Sequence, residues 1–268
     1  MDWAKAKTIL IILFLLLNVF LFITLLDNNA VLTFKSDYAR YATEFLQTRN
    51  IHIEAEIPNV KGKAGVLAFG SRAIDLEALS QTVFGKKVPA VQKDGITMIK
   101  DGDESIIIKG QTLTLTDKLS MGTDLYQDDK AFQDMLYDYL WSMGIQKKEL
   151  SLPSKTLSGD QRIYDFYMTY KEYLLFEQPI QAILNREGVM TLTLPTREVK
   201  RIQSPSEILS VYQVLVMGQL PQNATLSHVA FGFKRIGAND LFDSPVWHIR
   251  LEDGQSLYYN AYTGERVQ

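Results

Sequence analysis

Three histidines, His52, His228 and His248, are the side chains best suited to acid–base or metal chemistry near neutral pH. Their spacing supports neither. A metal site read from sequence needs a pair at helical or hairpin spacing, and each histidine stands apart in or beside a strand pattern, where it reads as a sheet residue with a polar tip. No Gly-x-Ser-x-Gly elbow or Ser-x-x-Lys occurs to activate a serine, and Ser151-Leu152-Pro153-Ser154-Lys155 reads as a loop. Asp101-Gly102-Asp103-Glu104-Ser105 resembles the start of a calcium loop. It fails where Ile106 stands in place of the required glycine and Thr112 in place of the bidentate glutamate, so a hairpin turn is expected. With no cysteine in the chain, disulfides, thiol catalysis, thiolate metal sites and cysteine lipidation are excluded. Dinucleotide and P-loop glycine motifs are absent as well. The expectation is a non-enzymatic protein with no catalytic residue, cofactor or metal.

The elements around these residues begin with an apolar run. Ile9 to Leu26 is interrupted only by Asn18 and Thr24, preceded by Lys5 and Lys7, and closed by Asp27-Asn28-Asn29. At a rise of ~1.5 Å per residue it is about long enough to cross a ~30 Å hydrocarbon core. Lysines before the run and no basic residue from Asp27 to Phe34 leave the N-terminus cytoplasmic and the rest of the chain extracytoplasmic. The run exceeds the ~7–15 residues of a signal peptide and no small-x-small cleavage site follows, so a retained single-pass anchor is expected. Beyond it, 46% hydrophobic and 22% charged residues fit a folded body of one large or two small domains. A net charge of −3 without a basic stripe argues against nucleic acid.

The body alternates α and β signals. A helix is expected over Asp37 to Leu46, with Tyr38, Tyr41, Ala42 and Phe45 on one face, rising from the anchor as a stalk. Ile51 to Ile57 alternates as a strand. Asp75 to Phe84 reads as a helix stopped by Gly85, and Ile96–Lys100, Ser105–Lys109 and Thr112–Thr116 read as a meander.

The second half carries an internal repeat. Asp128-Asp129 opens a helix with Phe132, Leu136, Tyr139, Leu140 and Met143 on one face. Ser204-Pro205-Ser206-Glu207, a capping-box pattern, opens another with Ile208, Val211, Tyr212 and Leu215. Each helix leads to a strand, Tyr164 to Tyr170 or Val229 to Phe233, and then to an acidic-x-Pro-aliphatic corner at Pro179 or Pro245. Nine positions after each proline stands a glycine, Gly188 or Gly254, and further strands end in the tails Thr196 to Val199 and Thr263 to Val267. The expected fold class is α+β: one N-terminal transmembrane helix, then antiparallel sheets with packed helices, the C-terminal half being two tandem helix-plus-strands units of PepSY-like form. The expected divisions are 1–27 (cytoplasmic tip and membrane helix), 28–127 (N-terminal α+β part), 128–203 and 204–268 (first and second repeat units).

Two groups are candidates for contact. Asn18 lies mid-span, where its amide gains ~0.5–2 kcal/mol by bonding to another helix. Outside the membrane, Phe166, Tyr167, Tyr170, Tyr173 and Phe176 crowd one stretch, and Trp247, Tyr258, Tyr259 and Tyr262 another. From these, Tyr170, Tyr173, Phe176 and Trp247 are the interface candidates.

The N-terminus carries a resemblance. Met1-Asp2-Trp3 with Lys5 and Lys7, then Thr8-Ile9 and Phe14-Leu15-Leu16-Leu17-Asn18-Val19-Phe20-Leu21, resembles the opening of YycI proteins, membrane-anchored regulators of the WalK/WalR (YycG/YycF) two-component system of Gram-positive cell-wall homeostasis. The C-terminal Tyr258-Tyr259-Asn260-Ala261-Tyr262-Thr263-Gly264-Glu265 and the layout of one span before an α+β body resemble them too. The resemblance implies an adaptor that associates with a YycH-like protein and the sensor histidine kinase WalK at the cell membrane, partly through transmembrane helices, with Trp3, Phe14, Asn18 and Phe20 as candidate contacts. The alternative is an extracytoplasmic PepSY-like module that restrains a secreted peptidase or other envelope enzyme.

Overall fold

The computed structural model describes the backbone except at residues 1, 2, 27, 61, 121, 238, 239 and 268, and describes no side chain at 4–6, 9 and 21–37. Helix α1 (Trp3–Leu26) contains the apolar run, and α2 (Asn28–Thr48) follows it. Among the described residues no helix is long and apolar enough to cross a membrane. The described apolar side chains of α1 from Leu10 to Phe20 are all exposed. The α2 helix is no free stalk. Ala42 and Leu46, four residues apart and therefore on one face, are fully buried, and α2 packs on α6 (Val211–Met217). Tyr41 stays 57% exposed, so the buried face is rotated from the tyrosine-bearing face expected.

Only His52–Ile53 of the alternating run forms a strand (β1), and β2 (Lys63–Ser71) follows. Helix α3 (Leu76–Phe84) starts where Asp75 accepts N–H bonds from Glu77 and Ala78, and stops at Gly85 in the left-handed region. Strands β3 (Val91–Lys93), β4 (Ile96–Asp101), β5 (Glu104–Lys109) and β6 (Thr112–Lys118) form the expected meander. Gly102 and Gly110 turn it at positive φ, so the Asp101–Glu104 segment is a hairpin turn.

After α4 (Gly122–Gln127) comes α5 (Asp129–Ser142), capped by Asp128, with Phe132, Leu136, Tyr139 and Leu140 buried. The following segment contains β7 (Ser154–Ser158), which pairs with β8 (Gln161–Tyr170), so the stretch read as a loop ends inside an edge strand. Then come β9 (Tyr173–Asn185), β10 (Val189–Pro195), β11 (Arg197–Glu207), α6, β12 (Thr225–Lys234), β13 (Phe242–Leu251), β14 (Ser256–Asn260) and β15 (Arg266–Val267). The expected helix start at Ser204 is corrected: Ser204 to Glu207 belongs to β11, at the edge of the sheet. A register shift between Gln203 and Ser206 accommodates Pro205, which has no N–H for a ladder. The helix starts six residues later, at the second Ser-x-x-acceptor pattern, where Ser210 and Gln213 form a reciprocal capping box.

Strand β9 holds the sheet together. One edge pairs with β8 along most of its length; the other pairs with β10 at Gln181 to Leu184 and, in parallel, with β12 at Leu174 and Leu175. It thus belongs to one meander, β8–β9–β10, preceded by α5, and borders the first strand of another, β12–β13–β14, preceded by α6. Pro179 lies opposite Tyr167 and Pro245 opposite Phe233, each on the middle strand, and Gly188 and Gly254 turn the next hairpins at φ 80° and 88°. Ile180 and Val246, one residue beyond the prolines, are both fully buried. The prolines themselves differ. Pro179 is exposed, whereas Pro245 is buried where the chain leaving β14 returns and Ala261 N–H donates to the Pro245 carbonyl at 2.9 Å.

Candidate interaction surfaces

On α1, Trp3, Phe14, Asn18 and Phe20 are all exposed. Asn18 sits with Ile11, Phe14, Leu15 and Val19 in one shallow groove, the i, i+3, i+4, i+7, i+8 set of a single helix face. At ~100° per residue Trp3 falls roughly 60° from Asn18, whereas Phe20 falls roughly 160° away on the opposite side. One partner helix could therefore meet Trp3, Phe14 and Asn18 together, but not Phe20.

In the body, Trp247 is corrected outright. It is fully buried, with Nε1–H donating to the Leu209 carbonyl at 3.0 Å, so it anchors β13 to the approach of α6 and presents nothing outward. Phe166 and Tyr259 are buried with it. Tyr173 and Tyr170 are half-buried, edge-on to Phe231 at 4.9 Å and Phe233 at 6.4 Å between ring centroids. Tyr170, Tyr173 and Trp247 thus share one aromatic cluster with Phe231 and Phe233, and Phe176 belongs to another.

That cluster brings together Tyr167 of β8, Phe176 of β9, His248 of β13 and Tyr258 of β14. Phe176 lies 6.2 Å from Tyr167, 5.3 Å from His248 and 5.2 Å from Tyr258, and His248 stacks on Tyr258 at 4.6 Å with an 18° interplanar angle. Strand β12 lies between β9 and β13, and a side chain on it would block this reach. Gly232 removes the obstacle: a Cβ there would stand 2.7 Å from the Phe176 ring and 2.3 Å from the Leu174 carbonyl. Lys234 sits over the Tyr258 ring at 5.2 Å while donating to Glu177 at 2.6 Å, which gives the cluster a charged rim.

Two histidines that look unrelated in sequence meet here, with His228 and His248 ring centroids 6.2 Å apart on paired strands. His248 Nε2 lies 3.1 Å from Ser256 Oγ, and burial, assisted by the charges of His228 and Arg250, pushes its imidazole down to about 4. It is neutral at physiological pH and packs as an aromatic ring. His52 is elsewhere, 3.2 Å from the Asn50 side chain. Among the described residues no group of three or more His, Asp or Glu side chains is placed to hold a metal ion.

These features define a mixed α+β protein, mostly sheet with a few packed helices, that presents an aromatic, charge-rimmed sheet face. It belongs to the YycI family: the family model described as YycI protein matches residues 34–262. Comparison with curated proteins gives no match. Among solved structures, the Bacillus megaterium YpeB C-terminal domain aligns with a TM-score of 0.42 at 10% identity, covering 74% of this chain and 97% of that one. That likeness is too distant to carry a conclusion about this chain.

Proposed function

We propose that the chain is a membrane-anchored, non-enzymatic accessory protein that modulates the YycFG (WalK/WalR) two-component system, associating with a YycH-type partner and the sensor kinase. The observation that carries this reading is the YycI match across the folded body. Attachment through α1 is supported by its 24-residue length, ~36 Å at ~1.5 Å per residue, and by the exposed apolar side chains among its described residues. Lys5 and Lys7 on the N-terminal side orient the body outward. A helix that packs unequally against the two signalling states of a kinase shifts their balance by that differential free energy, and ~1–3 kcal/mol suffices. The body then positions the helix by binding a companion domain, for which the Tyr167–Phe176–Tyr258 face supplies aromatic contacts and a polar rim.

A second reading, a PepSY-like module that restrains a secreted peptidase, draws support from the two successive helix-then-meander units. Affinity purification of the full chain from solubilised membranes, with its partners identified, separates the two. Recovery of a sensor kinase supports the first reading, and recovery of an envelope hydrolase without a kinase replaces it with the second.

A further inference from the structure

A cleft of about 470 Å³ opens where β2, β11 and β13 meet, within the ~300–1,000 Å³ of small-molecule sites. Its wall holds four cations, Arg197, Lys200, Arg201 and Arg235, against one carboxylate, Asp240. Two of the cations are neutralised within the fold. Arg197 is nearly buried, stacks 4.1 Å over the Phe69 ring and pairs with the buried Asp243 at 3.4 Å, while Lys200 pairs with Glu198. Arg201 and Arg235 have no salt-bridge partner among the described residues, although the buried Asp243 carboxylate also feels the Arg235 charge. Arg201 donates through Nε and Nη2 to the Gln203 amide oxygen at 2.8 Å, a neutral partner, when that amide is oriented toward it. Arg235 Nε is buried with no hydrogen-bond partner among the described residues. A buried guanidinium nitrogen left unmatched can be satisfied by an acceptor from outside the chain. Asp240, whose Oδ2 accepts the Gly237 N–H at 2.7 Å, makes no hydrogen bond to this nitrogen.

We propose that this cleft binds a phosphate-bearing small molecule, with Arg235 and Arg201 as the principal donors. A planar carboxylate is satisfied by one guanidinium fork, whereas cations from β11 and from the segment after β12 approach from different directions and suit the several oxygens of a tetrahedral phosphate. Leu241, 78% exposed at the same wall, offers an apolar neighbour to the carbon part of an ester. The attraction is local, because the chain as a whole carries −3 and repels anions.

The test is calorimetric titration of the full chain in nanodiscs with glycerol 1-phosphate at constant ionic strength. Saturable binding is expected, weakened at least about tenfold, the loss of one charge-assisted hydrogen bond, by Arg235→Gln and by Arg201→Gln and unchanged by Lys130→Gln on α5. Circular dichroism confirms that the variants are folded. If phosphatidylglycerol in the disc suppresses the binding relative to phosphatidylcholine alone, the site takes a lipid headgroup; if it does not, a soluble ester. Absence of saturation, wild-type affinity in both folded arginine variants, or acetate binding as tightly as the phosphate ester would overturn the proposal.

Discussion

Asp117 is only 3% exposed, on the face of β6 that α5 covers, and the Tyr139 hydroxyl donates to its carboxylate. Burial pushes its carboxyl up to about 6; the Tyr139 hydrogen bond opposes the shift and the nearby Glu104 adds to it. Because the folded state holds this proton more tightly than the unfolded chain, Asp117 favours folding at low pH, and that contribution is lost as pH rises between about 4 and about 6. Asp117→Asn keeps an acceptor for Tyr139 and removes the charge. It should flatten this part of the pH–stability curve and raise stability at pH 7 by about 1–3 kcal/mol, read from denaturant melts at pH 4 and pH 7. An unchanged slope would place the titration elsewhere. Gly232 offers a second residue-scale test. Gly232→Ala forces a Cβ against the Leu174 carbonyl and the Phe176 ring, and should cost about 1–3 kcal/mol or more. It should also shift the His248 and Tyr258 ring resonances together, whereas a purely local perturbation of β12 would leave Tyr258 unmoved.

At the scale of elements, two nearly identical capping patterns have opposite fates. Ser204-x-x-Glu207 lies in an edge strand with Ser204 at φ 44°, and Ser210-x-x-Gln213 caps α6. Ser210→Ala should therefore cost about 0.5–2 kcal/mol, while Ser204→Ala should stay within ~0.5 kcal/mol, as compared by chemical denaturation. Equal losses would mean that the Ser210 hydroxyl is not the working cap. The sequence misplaces the helix here because a capping box is a local signal. Eight residues of β11 pair along β2, a partner more than a hundred positions earlier, and that pairing outweighs the first pattern. Elements whose signals are self-contained were legible. The Asp75 cap and Gly85 stop of α3, the β4–β5–β6 meander with glycine turns, and the apolar stripe of α5 all follow from periodicity and turn chemistry.

For the whole molecule, the proposed role puts regulation in α1 and partner choice in the body. Replacing Ile9 to Leu26 with an unrelated apolar anchor should preserve export and folding yet reduce kinase output, since hydrophobicity alone does not reproduce a packed helix face. Asn18→Leu should act in the same direction more weakly, by ~0.5–2 kcal/mol of interhelical bonding. Output is measured with a reporter promoter of the two-component system. Full output from the swapped anchor would transfer the active contact to the body, where the aromatic face is the first place to test.

What the chain decides by itself is what short-range physics decides: an apolar run with basic residues before it, the lack of any cysteine, helix stripes, and paired proline and glycine turns nine residues apart. The resemblance that led to the YycI family was likewise legible, although the family match covers 34–262 and so rests on the body and not on the N-terminal motif that first raised it. Tertiary structure alone decided which aromatics face outward. Trp247 and Phe176 look alike as candidates, but side chains alternate along strands and β9 borders two meanders, so one is fully buried and the other half-buried. It alone set His248 beside His228 and Tyr258, and gathered Arg197, Arg201 and Arg235 around one cleft. Such sites join residues whose separation in sequence exceeds any local period, and only strand pairing across those separations brings them within reach.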